Sequence, residues 1–176
     1  DARALSARAE RPLMMLGGSM ISDDSQRLFE RFAEQSHIPA ITAFRFQDCF
    51  NNHSPAFCGE AGVGMPPHVQ RLIREADVIL AVNVRFGEMT TNAYTLMDVP
   101  VPKQKLIHVH GAESELGKIY VPTIGIQAGP NAFAAALEPI ERRPSEWSQG
   151  ARKTYEAFLD VKAQPSPVDM ASVIKQ

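Results

Sequence analysis

The sequence predicts an α/β domain: a parallel sheet of five or six strands covered by helices on both faces, a Rossmann-like three-layer arrangement. Three observations lead there. Short runs of contiguous apolar residues recur along the chain, as expected of strands buried on both sides. Between them lie segments with apolar residues at helical spacing, and strand and helix alternate throughout. Glycine, asparagine or serine follows the apolar runs, which is how a buried strand hands over to a loop.

The elements follow in order. Residues 2–9 are rich in Ala, Arg and Leu, good helix formers. Pro12 ends that helix and opens the run Leu13-Met14-Met15-Leu16, closed by Gly17-Gly18-Ser19. Ser22-Asp23-Asp24 supplies capping oxygens and negative charge for a helix whose inner face carries Leu28, Phe29, Phe32 and Ala33. A second strand is expected over 40–44. Residues 47–65, with Asn51, Asn52, Pro55, Gly59, Gly62 and Gly64, read as an irregular loop. Pro66-Pro67 starts the next helix, where proline costs nothing, with Val69, Leu72, Ile73 and Ala76 facing inward. The clearest strand is Val78-Ile79-Leu80-Ala81-Val82. A long loop over 83–104 is expected to contain a helical turn near 94–97, followed by strands over 105–109 and 122–126 and a helix over 131–137. Crossovers between parallel strands should be right-handed.

The pattern changes after Ile140. The spacing of Trp147, Ala151, Tyr155, Phe158 and Leu159 predicts one more amphipathic helix, and Gln164-Pro165-Ser166-Pro167 reads as a linker. The expected organisation is one α/β domain over 1–140, a terminal helix and interdomain linker over 141–167, and the start of a further domain over 168–176. Met170, Val173 and Ile174 there have nothing to pack against, so the chain reads as a segment excised from a longer protein.

Composition limits the function. Of 176 residues 44% are apolar and 22% charged, with a net charge of −2 and no basic run, which argues against nucleic acid and anionic membranes as partners. No apolar run approaches the ~20 residues of a membrane span. The N-terminal segment lacks the pattern of an export signal, so a cytoplasmic location is expected, with Cys49 and Cys58 as free thiols rather than a disulfide.

Few residues carry visible chemistry. Gly17-Gly18-Ser19 stands between a strand end and a helix start, a place where a backbone and a helix N-terminus accommodate phosphate, or simply a tight turn. Arg85 follows the strongest strand, at the carboxyl edge where open α/β sheets bind ligands; the plainer alternative is a surface ion pair. His108 and His110 share one face of a strand, but two imidazoles do not complete a metal site. His53 and His68 read as solvent-facing. Asp23 and Asp24 read as helix-dipole partners. No nucleophile is paired with a base, so catalysis by this segment is not expected.

Four stretches resemble the central domain of thiamine-diphosphate-dependent enzymes of the acetolactate synthase-like family. Arg11-Pro12-Leu13-Met14-Met15-Leu16-Gly17-Gly18 is similar to that domain's opening strand and glycine turn. The segment Ala76-Asp77-Val78-Ile79-Leu80-Ala81-Val82-Asn83-Val84-Arg85-Phe86 is similar to the family's Ala-Asp-Leu-Ile-Ile-Ala-Val-Gly-Ala-Arg-Phe. Leu106-Ile107-His108-Val109 and Gly59-x-x-Gly62 match in order and spacing, and Gly87-Glu88-Met89-Thr90-Thr91 with Tyr94-Thr95-Leu96 points to acetolactate-synthase-like members.

The resemblance implies a fold of the DHS-like NAD/FAD-binding type. It also implies a parent enzyme, homodimeric or homotetrameric, whose flanking domains bind thiamine diphosphate and magnesium and act on a 2-oxo acid. Gly17 and Gly18, with Ser19 where a third glycine often stands, fall on positions whose glycines in family members touch the FAD pyrophosphate or its ADP counterpart; Arg85 falls on an arginine that contacts the nucleotide, and Glu60 falls in a loop lying towards the active site. Several family contacts are replaced: Gly87-Glu88-Met89 stands for Asp-Asp-Arg, His110 for an acidic residue, Ala128-Gly129 for Gly-Asp. The segment is therefore either a holder of FAD or ADP or a spacer that has lost its ligand, and the missing acidic groups favour the spacer. A free-standing FAD- or ADP-binding module is the alternative reading.

Overall fold

A computed structural model describes residues 2–160. The linker expected over 164–167 and the segment 168–176 lie outside the described residues. Six strands form one parallel sheet: β1 (Pro12–Leu16), β2 (Ala40–Ala43), β3 (Phe57–Ala61), β4 (Val78–Val82), β5 (Lys105–His110) and β6 (Ile124–Gln127), in the order β3-β2-β1-β4-β5-β6. The helices are α1 (Ala2–Arg8), α2 (Asp23–Gln35), α3 (Pro67–Glu75), the single turn α4 (Glu88–Thr91), α5 (Pro130–Ala135) and α6 (Glu146–Leu159). None is long and apolar enough to cross a membrane, among the described residues.

The sheet is Rossmann-like and doubly wound. β1 and β4, at its centre, are buried at every position and pair residue for residue, from Pro12 opposite Val78 to Leu16 opposite Val82. Alternate side chains feed two cores. Leu13, Met15, Ile79 and Ala81 pack towards Val69, Leu72 and Ile73 of α3 and Ala151 of α6. Met14, Leu16, Leu80 and Val82 pack towards Phe29, Phe32 and Ala33 of α2 and Ala134 of α5.

Three expectations are corrected. The irregular loop over 47–65 contains β3, an edge strand whose sequence FCGEA has little β propensity; it forms because β2 offers it a partner and α6 covers it. The helical turn expected near 94–97 lies instead at 88–91, since Asn92, Ala93 and Tyr94 all have positive φ and cannot continue a right-handed helix. His68 is buried rather than solvent-facing. Its Nε2 donates to Cys58 O at 3.1 Å, and its ring lies against Tyr155 and Phe158 of α6. Cys49 and Cys58 are buried free thiols, each pushed up to about 12 chiefly by burial, which makes them unreactive.

At the amino edge one carboxylate ties the centre together. Asp77 accepts hydrogen bonds from Glu10 N (2.7 Å) and Arg11 N (2.9 Å), while its own N–H donates to Arg11 O and its carbonyl accepts from Lys105 N. It thus joins the entries of β1, β4 and β5. Trp147 Nε1 donates to Pro12 O (2.8 Å) and anchors α6 at the same edge. Asp77→Ala should lower stability by about 1–3 kcal/mol, because it leaves two backbone donors without their charged acceptor. Urea denaturation of Asp77→Ala and Asp77→Asn checks this, with the asparagine variant, which keeps an acceptor oxygen, losing less.

Candidate functional site at the switch point

In an open α/β sheet the ligand crevice lies beyond the carboxyl ends of the strands, where the chain leaves neighbouring strands for opposite faces. Here that point is between β1 and β4, since α2 covers one face and α3 the other. A cleft of about 480 Å³ opens there, with Gly18, Ser19, Asn83, Arg85, His110 and Asn131 among its lining. The four predicted residues are thus gathered in one place except Gly17, which lies beneath. A Cβ on Gly17 would come within 2.8 Å of the Ala43 Cβ, so its glycine is required by the contact with β2.

Gly18 is required by a different neighbour. Its φ is +71°, and a Cβ there would run into the side-chain amide and backbone carbonyl of Asn83. Asn83 follows β4 with φ +57°, and its Nδ2 donates to Ser19 O at 3.0 Å. From the other side Asn131, in the first turn of α5, donates from Nδ2 to Met20 O (3.0 Å) and accepts at Oδ1 from Ser22 N (3.0 Å). Two asparagines therefore clasp the loop between β1 and α2. The α2 N-terminus is also provided for: Ser22 Oγ accepts from Ser25 N, and Asp23 and Asp24 occupy the first turn, the arrangement that offsets the positive end of the helix dipole.

Arg85 is committed as well. Its Nη2 lies 3.4 Å from Oε1 of Glu115, which Lys118 Nζ also reaches at 3.0 Å. The hydrogen bond from Lys118 and then the attraction of Arg85 hold the Glu115 carboxyl below its ordinary range. Arg85 remains largely exposed, at 71% of its side chain, so the pair fixes its direction more than it adds stability.

His108 supports this arginine from below. It is 1% exposed, its Nε2 donates to Val84 O at 2.9 Å, and its ring meets Phe86 at a centroid distance of 5.0 Å. Both neighbours of Arg85 are thereby held. His108 and His110 do share a face, with ring centroids 6.0 Å apart, but no group of three or more His, Cys, Asp or Glu stands ready for a metal among the described residues. Glu60 is not in a loop: it lies on β3, where its carboxylate accepts from Arg45 N (2.8 Å) and Gln47 Nε2 (2.9 Å) and so shapes the turn after β2. Asp23 and Asp24 lie in the first turn of α2, and Asp24 pairs with Arg27 of the same helix. A further cleft, about 450 Å³, opens between α2 and α6, but its Arg152 is used by Ser54 O, Phe57 O and Glu156.

The residues missed by sequence reasoning are Asn83 and Asn131. An asparagine after a strand or at a helix start reads as a turn former, and only Asn83 left a signal, because it stands where the family's segment has glycine.

Burial holds His108 and His68 below the ordinary histidine pKa, against the opposing pull of their backbone hydrogen bonds. The unfolded chain then binds more protons than the folded one below pH ~6.5, so stability should fall as pH drops through that value. His108→Gln should flatten this dependence between about pH 7 and pH 5.5, read by urea denaturation at each pH; an unchanged slope would show that His108 accepts its proton freely.

With the fold and cleft defined, comparison with known proteins is direct. The chain is 29% identical over 151 residues to the acetolactate synthase isozyme 1 large subunit of Escherichia coli K12, covering 85% of this chain and 26% of that one. It is 27% identical over 155 residues to a sulfoacetaldehyde acetyltransferase of Alcaligenes xylosoxydans xylosoxydans (88% and 25%). It is 29% identical over 117 residues to a probable acetolactate synthase large subunit of Methanocaldococcus jannaschii (66% and 19%). The chain thus spans about a quarter or less of these relatives. The doubly wound sheet, the glycine turn after β1 and the arginine after β4 all lie in residues 1–137, which match the family described as "Thiamine pyrophosphate enzyme, central domain", and the chain belongs to that family.

Proposed function

We propose that this chain is the structural central domain of a larger thiamine-diphosphate-dependent, acetolactate synthase-like enzyme acting on a 2-oxo acid, and that its switch-point cleft holds no nucleotide. The observation that carries the second statement is the Asn83 side chain resting on Gly18. A glycine turn accepts a pyrophosphate because the missing Cβ leaves room for it; here an amide occupies that room. Three further features agree. Asp23 and Asp24 place negative charge where phosphate would be drawn to the helix N-terminus, Glu115 takes the charge of Arg85, and no acidic residue stands at positions 87, 110 or 128–129, which leaves Glu88, in the first turn of α4, as the one acid kept at these positions.

Thiamine diphosphate and magnesium do not fit this segment either. The chain contains no Gly-Asp-Gly sequence, no group of three or more His, Cys, Asp or Glu is gathered among the described residues, and Glu60 and Glu115 are used in a turn and an ion pair. When bound in the parent, thiamine diphosphate would supply the carbanion chemistry. The part left to this domain is to hold the flanking domains at a fixed separation, as a sheet with two packed faces does well. Assembly of the parent as a homodimer or homotetramer, in the cytoplasm, goes with this reading.

The test is to purify the full-length protein, denature it and chromatograph what it releases. Neither FAD nor ADP should appear; either one at stoichiometric amounts would overturn the spacer reading. Consumption of 2-oxo acids by the full-length protein should depend on added thiamine diphosphate and magnesium, with none by the 176-residue chain. Each acidic charge at a helix N-terminus is worth about 0.3–1 kcal/mol. The variant Asn83→Gly with Asp23→Asn and Asp24→Asn should therefore bind ADP about tenfold more tightly than the natural protein, a change of about 1.4 kcal/mol. Calorimetric titration with ADP reads it.

A further inference from the structure

The two edges of the sheet are treated differently. β3 is buried at four of five positions, α6 packs on it, and Arg152 takes the carbonyl of Phe57. β6 has no strand on its outer side among the described residues, and its side chains alternate between half-buried and exposed. Ala128 N donates inward to His110 O, so by the two-residue period the backbone groups of Thr123, Gly125 and Gln127 point outward. Proteins usually protect such an edge with charge, a bulge or a covering segment. Here no charged residue or histidine occurs from Ile119 to Leu137.

Exposed apolar residues lie beside β6. Val121 N donates to Pro100 O at 2.7 Å and so joins two loops. Val99, Val101 and Val121 are 54%, 64% and 50% exposed, a group of apolar side chains at the entry to β6. A bare strand edge next to apolar residues is a surface that awaits a partner strand.

We propose that this edge pairs with β6 of a second copy of the same chain, antiparallel, about a twofold axis at Gly125. The occupant must be an extended strand, because the edge offers backbone donors and acceptors. An isologous contact makes each pairing twice, residue i against j and j against i, so like charges along the edge would repel twice over, and this uncharged edge has none. With Gly125 opposite Gly125 the centre has no side chains to collide, Thr123 faces Gln127 of the second copy, and Ile124 faces Ile126. The two sheets then continue as one across the axis. This contact is independent of whether the cleft holds a nucleotide or the parent acts on a 2-oxo acid.

The experiment uses the full-length protein. Directly opposed residues in a hydrogen-bonded antiparallel pair have Cα atoms about 5.5 Å apart, within the range a disulfide spans. A Cβ at position 125 meets nothing closer than 3.5 Å, and the natural thiols are buried. Gly125→Cys should therefore form a covalent dimer under mild oxidant on a non-reducing gel. Adding Thr123→Lys and Gln127→Lys should abolish the cross-link by opposing like charges, as should Thr123→Glu with Gln127→Glu. Mixing the lysine and glutamate forms should restore it, which no loss of folding could mimic. Absence of the cross-link with Gly125→Cys alone, or its persistence in the lysine form, would overturn the proposal.

Discussion

The pairing of β1 with β4 is the constraint from which the rest of the molecule follows. Both strands are buried on both faces, so neither tolerates a polar side chain along its length, and polar groups are displaced to the two ends. At the amino edge the result is the Asp77 junction, which satisfies the two backbone donors just ahead of β1 with a single carboxylate. At the carboxyl edge the chain leaves β1 and β4 for opposite layers, and the two departing loops cannot fill the space between them. A cleft there is a consequence of the winding, whether or not a ligand uses it. Its content is decided by the few residues directly after the strands, above all Asn83.

Most of the fold could be read from the chain because its signals are local. β1 and β4 are runs of five residues with no charge, the first opening on a proline and the second preceded by an aspartate, with glycine or asparagine after. α2 announces itself by its Ser22 cap and α3 by Pro66-Pro67 at its start, and both by apolar side chains at helical spacing. β3 could not be read that way. Gly59 and Glu60 dilute its apolar character, and it becomes a strand because β2 and α6 complete its surroundings, information that lies far away in sequence. The error at 94–97 has the opposite origin. Leu96 and Met97 are buried as an amphipathic turn would bury them, but the backbone passes through three left-handed residues first, a feature no side-chain pattern reveals. His68 shows a third kind of miss: a helix-start histidine reads as exposed until α6, some eighty residues on, is laid across it.

The candidate site was read only in part, for a related reason. Gly18, Ser19 and Arg85 do meet at one cleft, because strand ends at a switch point are brought together by topology alone. What each residue does there depends on its neighbours. Arg85 is positioned between Val84 and Phe86, both held by His108, and its charge is directed at Glu115. None of these pairings has a fixed spacing in sequence, so an arginine in the right place could be located but its task could not.

The glycines carry the most general point. A strand followed by two glycines invites a phosphate-binding interpretation, yet each glycine here has a sufficient reason inside the protein. Gly17 lets β1 pass Ala43 of β2, and Gly18 makes room for the Asn83 amide that ties the loop after β1 to the loop after β4. An enzyme domain that no longer used its ligand would keep the first glycine, because the sheet could not close without it. It would be free to place a side chain over the second. An asparagine is well suited to such a place, since it tolerates the left-handed backbone at position 83 and supplies a donor for the Ser19 carbonyl. The glycine turn is therefore evidence of winding first, and evidence of a ligand only when the space above it is open.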